Sequence, residues 1–508
     1  MAHIKLGSPE PTRPQRGCAQ STRCRRLLIL ISIISVALAV GLAVSLTIFA
    51  VRRSRSHVRG DAVPGALRHR AHDLTLCATE LTTLPGAAAA GDADLVPMSL
   101  NGTRRRVADA LYNATALAGS RAIADCLEML DAAGELLERS VRAITVAPSN
   151  ATGTAATADT DTDTAGDVMT WLSAALTYYD TCHDSLQQAD ADDDKDRRRI
   201  KAQMLQYLTN LGEHLSNSLA IFKALGTPGG GIPVHNQIHQ RLLASSNDDA
   251  NTNTDVSFPP RWVEPSDRRL LVAEAADIVP DMVVAKDGNG THMNITDAVE
   301  AAPEYSSCRV VIYVKAGVYT ENVKIGRRKT NLMLVGDGAG DTVVVGSLSV
   351  QDQFKTFHTA TLSVSGEGFM MRDMTVENRA GPAKPQAVAL LVSGDHAVVY
   401  RCAVLGYQDT LYAHAQRQFY RDCEVAGKVD VVFGNAAAVL QNCTLRARLL
   451  LTQQKNTVTA QGRTDPNHST GISVHGCRLL PAPDLAAVQG RTRRTWGGRG
   501  SRTRGRCT

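Results

Sequence analysis

Aromatic side chains are scarce in this 508-residue chain: 3 Trp, 11 Tyr and 8 Phe amount to 4% of it, although 44% of its residues are hydrophobic. Its apolar material is therefore mostly aliphatic. Ligand-spaced His or Cys clusters are also missing, and the 14 His are scattered, so the usual signature of a bound metal is not there. A large excess of one charge is absent too. The net charge is +5, from 55 Lys plus Arg against 50 Asp plus Glu, and much of that excess lies at the two ends. This argues against a nucleic-acid-binding body and is compatible with loose adhesion to an acidic polysaccharide. Between about residues 283 and 480 helical periodicity is lacking, which excludes a helical second half.

What that region has instead is a short recurring unit: Tyr400-Arg401-Cys402-Ala403-Val404, then Tyr420-Arg421-Asp422-Cys423-Glu424-Val425, then Leu440-Gln441-Asn442-Cys443-Thr444-Leu445. A period of about 20 to 22 residues, rich in Val, Leu, Thr and Gly, suits a parallel β-solenoid whose coils bury apolar faces only against each other. Each coil advances the stack by about 4.8 Å. Gln386, Gln408 and Asp430 recur at intervals of 22 residues, with Asp409 beside Gln408. The spacing predicts one outward column of two carboxylates and two amides. Two close carboxylates do not ionise together readily, so one keeps a proton while the other is an anion able to attack. Amide N–H groups nearby would stabilise an oxyanion. That combination suits ester hydrolysis; the same residues also occur on solenoid faces as solvated or turn-bound side chains.

Four ordered blocks sharpen the reading: Val318 to Asn322, Gln386 to Leu390, Gln408 to Tyr412 and Asp430 to Asn435, supported by Val283 to Gly288 and Ala380 to Pro382. Together they resemble plant pectin methylesterases from about Pro280 to Asp484. The resemblance implies a right-handed parallel β-helix that removes methyl esters from homogalacturonan, releasing methanol, with no metal or organic cofactor. It implies Asp430 as nucleophile, Asp409 as proton donor and acceptor, Gln408 as transition-state stabiliser, and Gln386, Thr356 and Tyr412 as substrate contacts. A pectate lyase or polygalacturonase on the same fold fits less well, since neither carries the Gln408 to Tyr412 block.

The likeness stops after Pro481 to Val488. Family members continue to Leu-Gly-Arg-Pro-Trp, whose Arg holds the nucleophile and whose Trp contacts the sugar, whereas this chain reads an Arg/Gly-rich tail over residues 491–508. Read one nucleotide earlier, the codons for Thr495 to Gly500 can encode Tyr-Leu-Gly-Arg-Pro-Trp. The tail is therefore expected to reflect a shifted frame or truncation, leaving the β-helix of 270–490 incomplete at its C-terminal end.

Upstream, residues 1–26 are expected to be cytosolic and 27–51, free of charge and flanked by Arg25-Arg26 and Arg52-Arg53, to form a transmembrane signal anchor. Residues 69–225 turn helical and Ala/Leu-rich, with apolar stripes around Asp125 to Leu130 and Trp171 to Thr177. Through Asp125-Cys126-Leu127-Glu128, Trp171 to Thr177 and Asp180-Thr181-Cys182 this region resembles the pectin methylesterase and invertase inhibitor domain. That resemblance implies a four-helix bundle and a Cys126–Cys182 disulfide.

A Gly, Asn, Asp and Pro-rich stretch over 226–269 reads as a linker. It leads to Arg268-Arg269-Leu270-Leu271, which resembles the family's processing site for a protease. In the solenoid, Cys402 with Cys423 and Cys443 with Cys477 are expected to bridge neighbouring coils in an oxidising compartment. Sequons include Asn442, within a coil and so the least available, and Asn467. The expected whole is a multidomain precursor: membrane-anchored in the secretory pathway, then extracellular in the cell wall, acting on pectin, with an intramolecular inhibitor-like domain and no nucleic-acid partner. A non-catalytic inhibitor-like binding protein with an inert solenoid is the alternative.

Overall fold

The computed structural model describes residues 92–115, 117, 121–146, 157–187, 195–225, 258–260, 262–488 and 494–495, all within one compact unit, Pro64–Thr508. The expected cytosolic segment and anchor, 1–51, lie outside them. Among the described residues no helix is long and apolar enough to cross a membrane.

The helical region comprises α1 (Asp92–Thr115), α2 (Arg121–Val146), α3 (Thr157–Gln187), α4 (Lys195–Tyr207) and α5 (Leu211–Leu225). It forms because aliphatic residues recur at helical spacing and close against one another: Ile123, Leu130 and Leu137 of α2, Leu172 and Ala175 of α3, and Leu215 and Leu219 of α5 are all buried. Cys126 of α2 is disulfide-bonded to Cys182 of α3. Small hydroxyls satisfy one another inside, as Ser218 does with Ser99 at 3.0 Å and Thr103 at 2.7 Å.

From Met282 onward the chain winds through three parallel sheets of eight, seven and six strands. One coil runs from Ala397–Tyr400 through Ala403–Leu405 to Leu411–Ala413, and the next runs from Arg417–Arg421 through Glu424–Gly427 to Val432–Gly434. Each strand pairs in parallel with its counterpart one coil away, so Val, Leu and Ile side chains at matching positions stack into one aliphatic core. This is how a chain poor in aromatics fills a long interior.

The recurring unit in the sequence is the corner between the first two sheets. Arg401, Asp422, Asn442 and Gly476 occupy it in successive coils with φ of 51°, 53°, 53° and 62°. A single left-handed residue bends the chain there, which Asp, Asn and Gly tolerate best. It also points the following residue inward. That residue is Cys402, Cys423, Cys443 and Cys477 in turn.

The expected Cys402–Cys423 and Cys443–Cys477 bridges are not formed; all four cysteines are free. Stacking aims each thiol at backbone: Cys402 Sγ donates to Tyr400 O (3.3 Å), Cys423 Sγ to Val399 O (3.4 Å), Cys443 Sγ to Tyr420 O (3.5 Å) and Cys477 Sγ to Leu440 O (3.3 Å). Here cysteine serves as a small apolar filler of the corner.

The expected processing site at the end of the linker lies in a helix. Arg268 to Leu271 belong to α6 (Pro265–Val272), which packs on the eight-stranded sheet with Leu271 fully buried. Arg372, buried within the sheet, donates from Nη1 to the carbonyls of Leu270 (2.8 Å), Leu271 (3.0 Å) and Ala273 (2.7 Å), capping the helix end. Asp267 pairs with Arg309 at 2.6 Å at the other end. Residues 226–257 lie outside the described part. Of the sequons, Asn442 is exposed at its corner while Asn467 is buried at 4% exposure.

Candidate active site

The six-stranded sheet presents its outer side to the helical region, and the two carboxylates stand at the corner that enters it. Register decides who meets whom. Leu411 pairs with Val432, and Gln408 forms a parallel bridge with Val429. Asp409 is therefore level with Asp430 one coil on. Ala387 N–H donates to Gln408 O (3.1 Å), the same pattern by which Leu411 N–H donates to Val431 O, so Gln386 is level with Gln408. The expected single column at 22-residue spacing thus becomes two adjacent columns, because the coil from 408 to 429 is one residue shorter. The amides fall in one and the carboxylates in the other.

Asp409 and Asp430 both adopt left-handed backbone, with φ of 62° and 49°. Non-glycine residues held there are sparsely populated and recur at functional sites. Close packing beneath holds the corner: Thr410 Oγ1 donates to Ala426 O (3.2 Å), and a Cβ on Gly427 would come within 2.5 Å of that hydroxyl. Gly427 is required for that approach.

The two carboxyls are unequal. Asp409 is 7% exposed, and its pKa is pushed well above the usual carboxylate range by burial and then by the neighbouring Asp430. Asp430 is half-buried and raised by burial alone. Among the described residues no basic side chain forms an ion pair with either. Burial and the neighbouring carboxyl thus disfavour charge on Asp409 more than burial alone does on Asp430.

Beside them runs an aromatic shelf that sequence reading recognised only through Tyr412. The Tyr412 ring stacks on Phe433 with centroids 4.2 Å apart, and Phe357 joins them over Val388 and Leu391. Thr356 opens the short turn Thr356–Thr359 that carries Phe357. Asn378 was missed as well: its Nδ2 donates to Leu348 O (3.0 Å), Thr359 O (3.2 Å) and Val388 O (2.9 Å), fastening that turn to the sheet beside Asp409. Its signal is a buried amide (1% exposed), invisible without coordinates.

Helix α3 lies over this face. Thr181 Oγ1 is 2.8 Å from His414 Nε2, Asn435 donates to Thr177 Oγ1 (2.8 Å), Ser469 N–H to Ser173 Oγ (3.0 Å) and Thr464 to Asp180 Oδ2 (3.2 Å). His414 is fully buried, and burial lowers its pKa to about 3, so it is a neutral hydrogen-bonding link. Ser393 Oγ holds its Nδ1 at 2.9 Å.

Away from this corner, Glu367, Asp395 and His396 converge, among the described residues, closely enough to share an ion. Arg417 pairs with Asp395 at 2.5 Å and Arg139 with Glu367 at 2.7 Å, so those carboxylates are already neutralised by protein cations.

A stack of parallel coils presenting paired, unequal carboxylates beside an aromatic shelf defines a carbohydrate-active protein. Residues 281–506 match the family model described as Pectinesterase, a span that runs past the expected end of the likeness at Val488 into the Arg/Gly-rich tail, and residues 68–221 match the one described as Plant invertase/pectin methylesterase inhibitor. The chain is similar to "Probable pectinesterase/pectinesterase inhibitor 61" of Arabidopsis thaliana, 44% identical over 423 residues, covering 82% of this chain and 68% of that protein. It is equally similar, 44% over 471 residues, to "Probable pectinesterase/pectinesterase inhibitor 34" of the same plant, covering 90% and 75%. Among solved structures, the pectin methylesterase from carrot is 50% identical over 43% of this chain and 69% of its own, with a TM-score of 0.42. This chain belongs to the pectinesterase family and carries an inhibitor-type region before its solenoid. The alternative of a non-catalytic inhibitor-like protein is not favoured by these likenesses.

Proposed function

We propose that the protein hydrolyses the methyl esters of homogalacturonan, and that the level placement of Asp409 and Asp430 is the observation that carries this reading. Asp430, as the anion, attacks the ester carbonyl carbon. The oxyanion that forms accepts hydrogen bonds from the amides of Gln408 and Gln386. Collapse breaks the bond to methoxide, which takes the proton held by Asp409 and leaves as methanol. Asp409, now a carboxylate, takes one proton from a water whose oxygen attacks the galacturonyl carbonyl of the acyl–Asp430 intermediate; the bond to Asp430 breaks, restoring both groups, and the galacturonic acid set free loses its remaining proton to solvent. Tyr412, Phe433 and Thr356 support sugar rings along the shelf.

The helical region, read as the four-helix bundle of the inhibitor family, acts as an intramolecular cover because α3 occupies the outer side of the six-stranded sheet. Release follows cleavage by a processing protease at Arg268-Arg269-Leu270-Leu271, after local opening of α6. The place of action is the plant cell wall, reached through the secretory pathway, with residues 27–51 as the anchor of the precursor.

Methanol release from highly methylesterified pectin, measured on the full chain before and after cleavage at Arg269, tests this. Release that appears on cleavage supports the reading. No release from the cleaved protein overturns it.

A further inference from the structure

Helix α2 carries five carboxylates, of which Glu138 pairs with Arg142 of the same helix; the other four, Asp125, Glu128, Asp131 and Glu135, form a stripe at helical spacings of three, three and four residues. Each meets a base on the solenoid. Asp125 Oδ1 lies 2.9 Å from His358 Nε2, Glu128 is 2.9 Å from Lys324, Glu135 is 2.7 Å from Arg327, and Asp131 pairs with the other arm of the same guanidinium.

The partners differ in exposure: Lys324, Asp131 and Glu135 are 54%, 52% and 55% exposed, whereas Arg327, His358 and Asp125 are 24%, 23% and 14% exposed. The Lys324–Glu128 pair is therefore worth only about 0–1 kcal/mol. The match of sign along these four carboxylates shows which charge the basic row receives.

Its position is informative. Lys324 pairs with Ser363, Ser363 with Leu391, Leu391 with Tyr412, and Tyr412 with Phe433, so all five share one register row across the outer face of the six-stranded sheet. Lys324 is three sheet spacings, about 14 Å, from Tyr412. His358 adjoins Phe357 of the shelf, their rings 5.3 Å apart. The basic row thus continues the shelf away from the two carboxylates, within reach of the same polymer.

We propose that Lys324, Arg327 and His358 form a subsite for the carboxylates of already de-esterified galacturonate units, and that the acidic stripe of α2 occupies it in the uncut chain. The proposal rests on the pectin reading of the groove and extends it. A methyl ester is uncharged, so Lys324 and Arg327 gain no ion pair from it; the product of the reaction is an anion spaced regularly along the chain. The bound polymer would then lie with its de-esterified end toward Lys324 and its next ester toward Asp430.

The test uses the full, uncut chain and unesterified oligogalacturonate as probe, with affinity measured by calorimetry at low and high salt. Replacing Asp131→Asn with Glu135→Gln frees Arg327 without altering side-chain size. This variant is expected to bind the oligomer about tenfold more tightly than the parent, with the gain lost at high salt and on adding Lys324→Gln and Arg327→Gln. No gain overturns the proposal, as does a gain that survives those two replacements or is equal for a fully methylesterified oligomer. Circular dichroism of each variant confirms the fold. Because the readout is binding, failure of methanol release would overturn the esterase reading while this result stands or falls independently.

Discussion

Asp409 sits level with Asp430 on adjacent coils, both in left-handed backbone, with Asp409 the more deeply buried. Proximity raises the cost of ionising both, and burial decides which keeps its proton.

Asp430→Asn is expected to reduce methanol release from the cleaved protein to background, since the nucleophile is lost without a change in volume. Asp409→Asn should lower kcat by about 10²–10⁴-fold with KM little changed, because proton delivery matters mainly in the transition state. A parallel rise in KM for Asp409→Asn would place that residue in binding instead.

Asp180, where α3 meets Thr464, has its pKa raised to about 7, chiefly by burial, with Asp184 and Asp465 adding to the rise and the Thr464 hydrogen bond opposing it. A folded-state pKa above the unfolded 3.8 means the native state binds the extra proton. Its contribution is complete below about pH 4 and is lost as pH climbs toward 7. The melting temperature of the full chain should fall across that window, and Asp180→Asn should reduce the fall. Identical slopes for the two proteins would show that Asp180 ionises freely.

Arg372 holds three carbonyls at the end of α6. Arg372→Met orphans them at a cost of about 1–3 kcal/mol each, loosening the helix. Tryptic cleavage between Arg269 and Leu270, followed as the new N-terminus by mass spectrometry, should quicken by at least about tenfold. An unchanged rate would mean α6 is held by its apolar contacts and the Asp267–Arg309 pair without Arg372.

Cys402, Cys423 and Cys443 are buried thiols, whereas Cys308 is exposed. Iodoacetamide should label Cys308 in the native protein and reach the other three only after denaturation without reductant. Peptides joined through Cys402–Cys423 or Cys443–Cys477 would contradict the free ladder.

Much of this molecule is written locally. The repeated corner is legible because one backbone geometry favours Asp, Asn or Gly there and a small apolar residue next, and the aliphatic runs between corners leave no alternative to stacked parallel strands. Asp409, Asp430, Gln408 and Tyr412 stand out for the same reason, in blocks whose order along the chain is distinctive. The Cys126–Cys182 pair follows from the resemblance of its flanking residues.

Other features depend on relations between distant segments. Whether Asp430 faces Gln408 or Asp409 turns on one residue of coil length, which hydrogen-bonded register sets and residue identity does not. Whether stacked cysteines bridge is likewise decided by packing: Cys443 N–H donates to Cys477 Sγ at 3.2 Å, yet both thiols stay free. The basic pair near residue 269 looks accessible in a polar stretch, yet Arg372, about a hundred residues later, draws that stretch into a helix. The pairing of the α2 stripe with Lys324 and Arg327 joins residues nearly two hundred positions apart. Sequence determines which side chains each coil and helix can offer; packing of those coils and helices decides which of them meet.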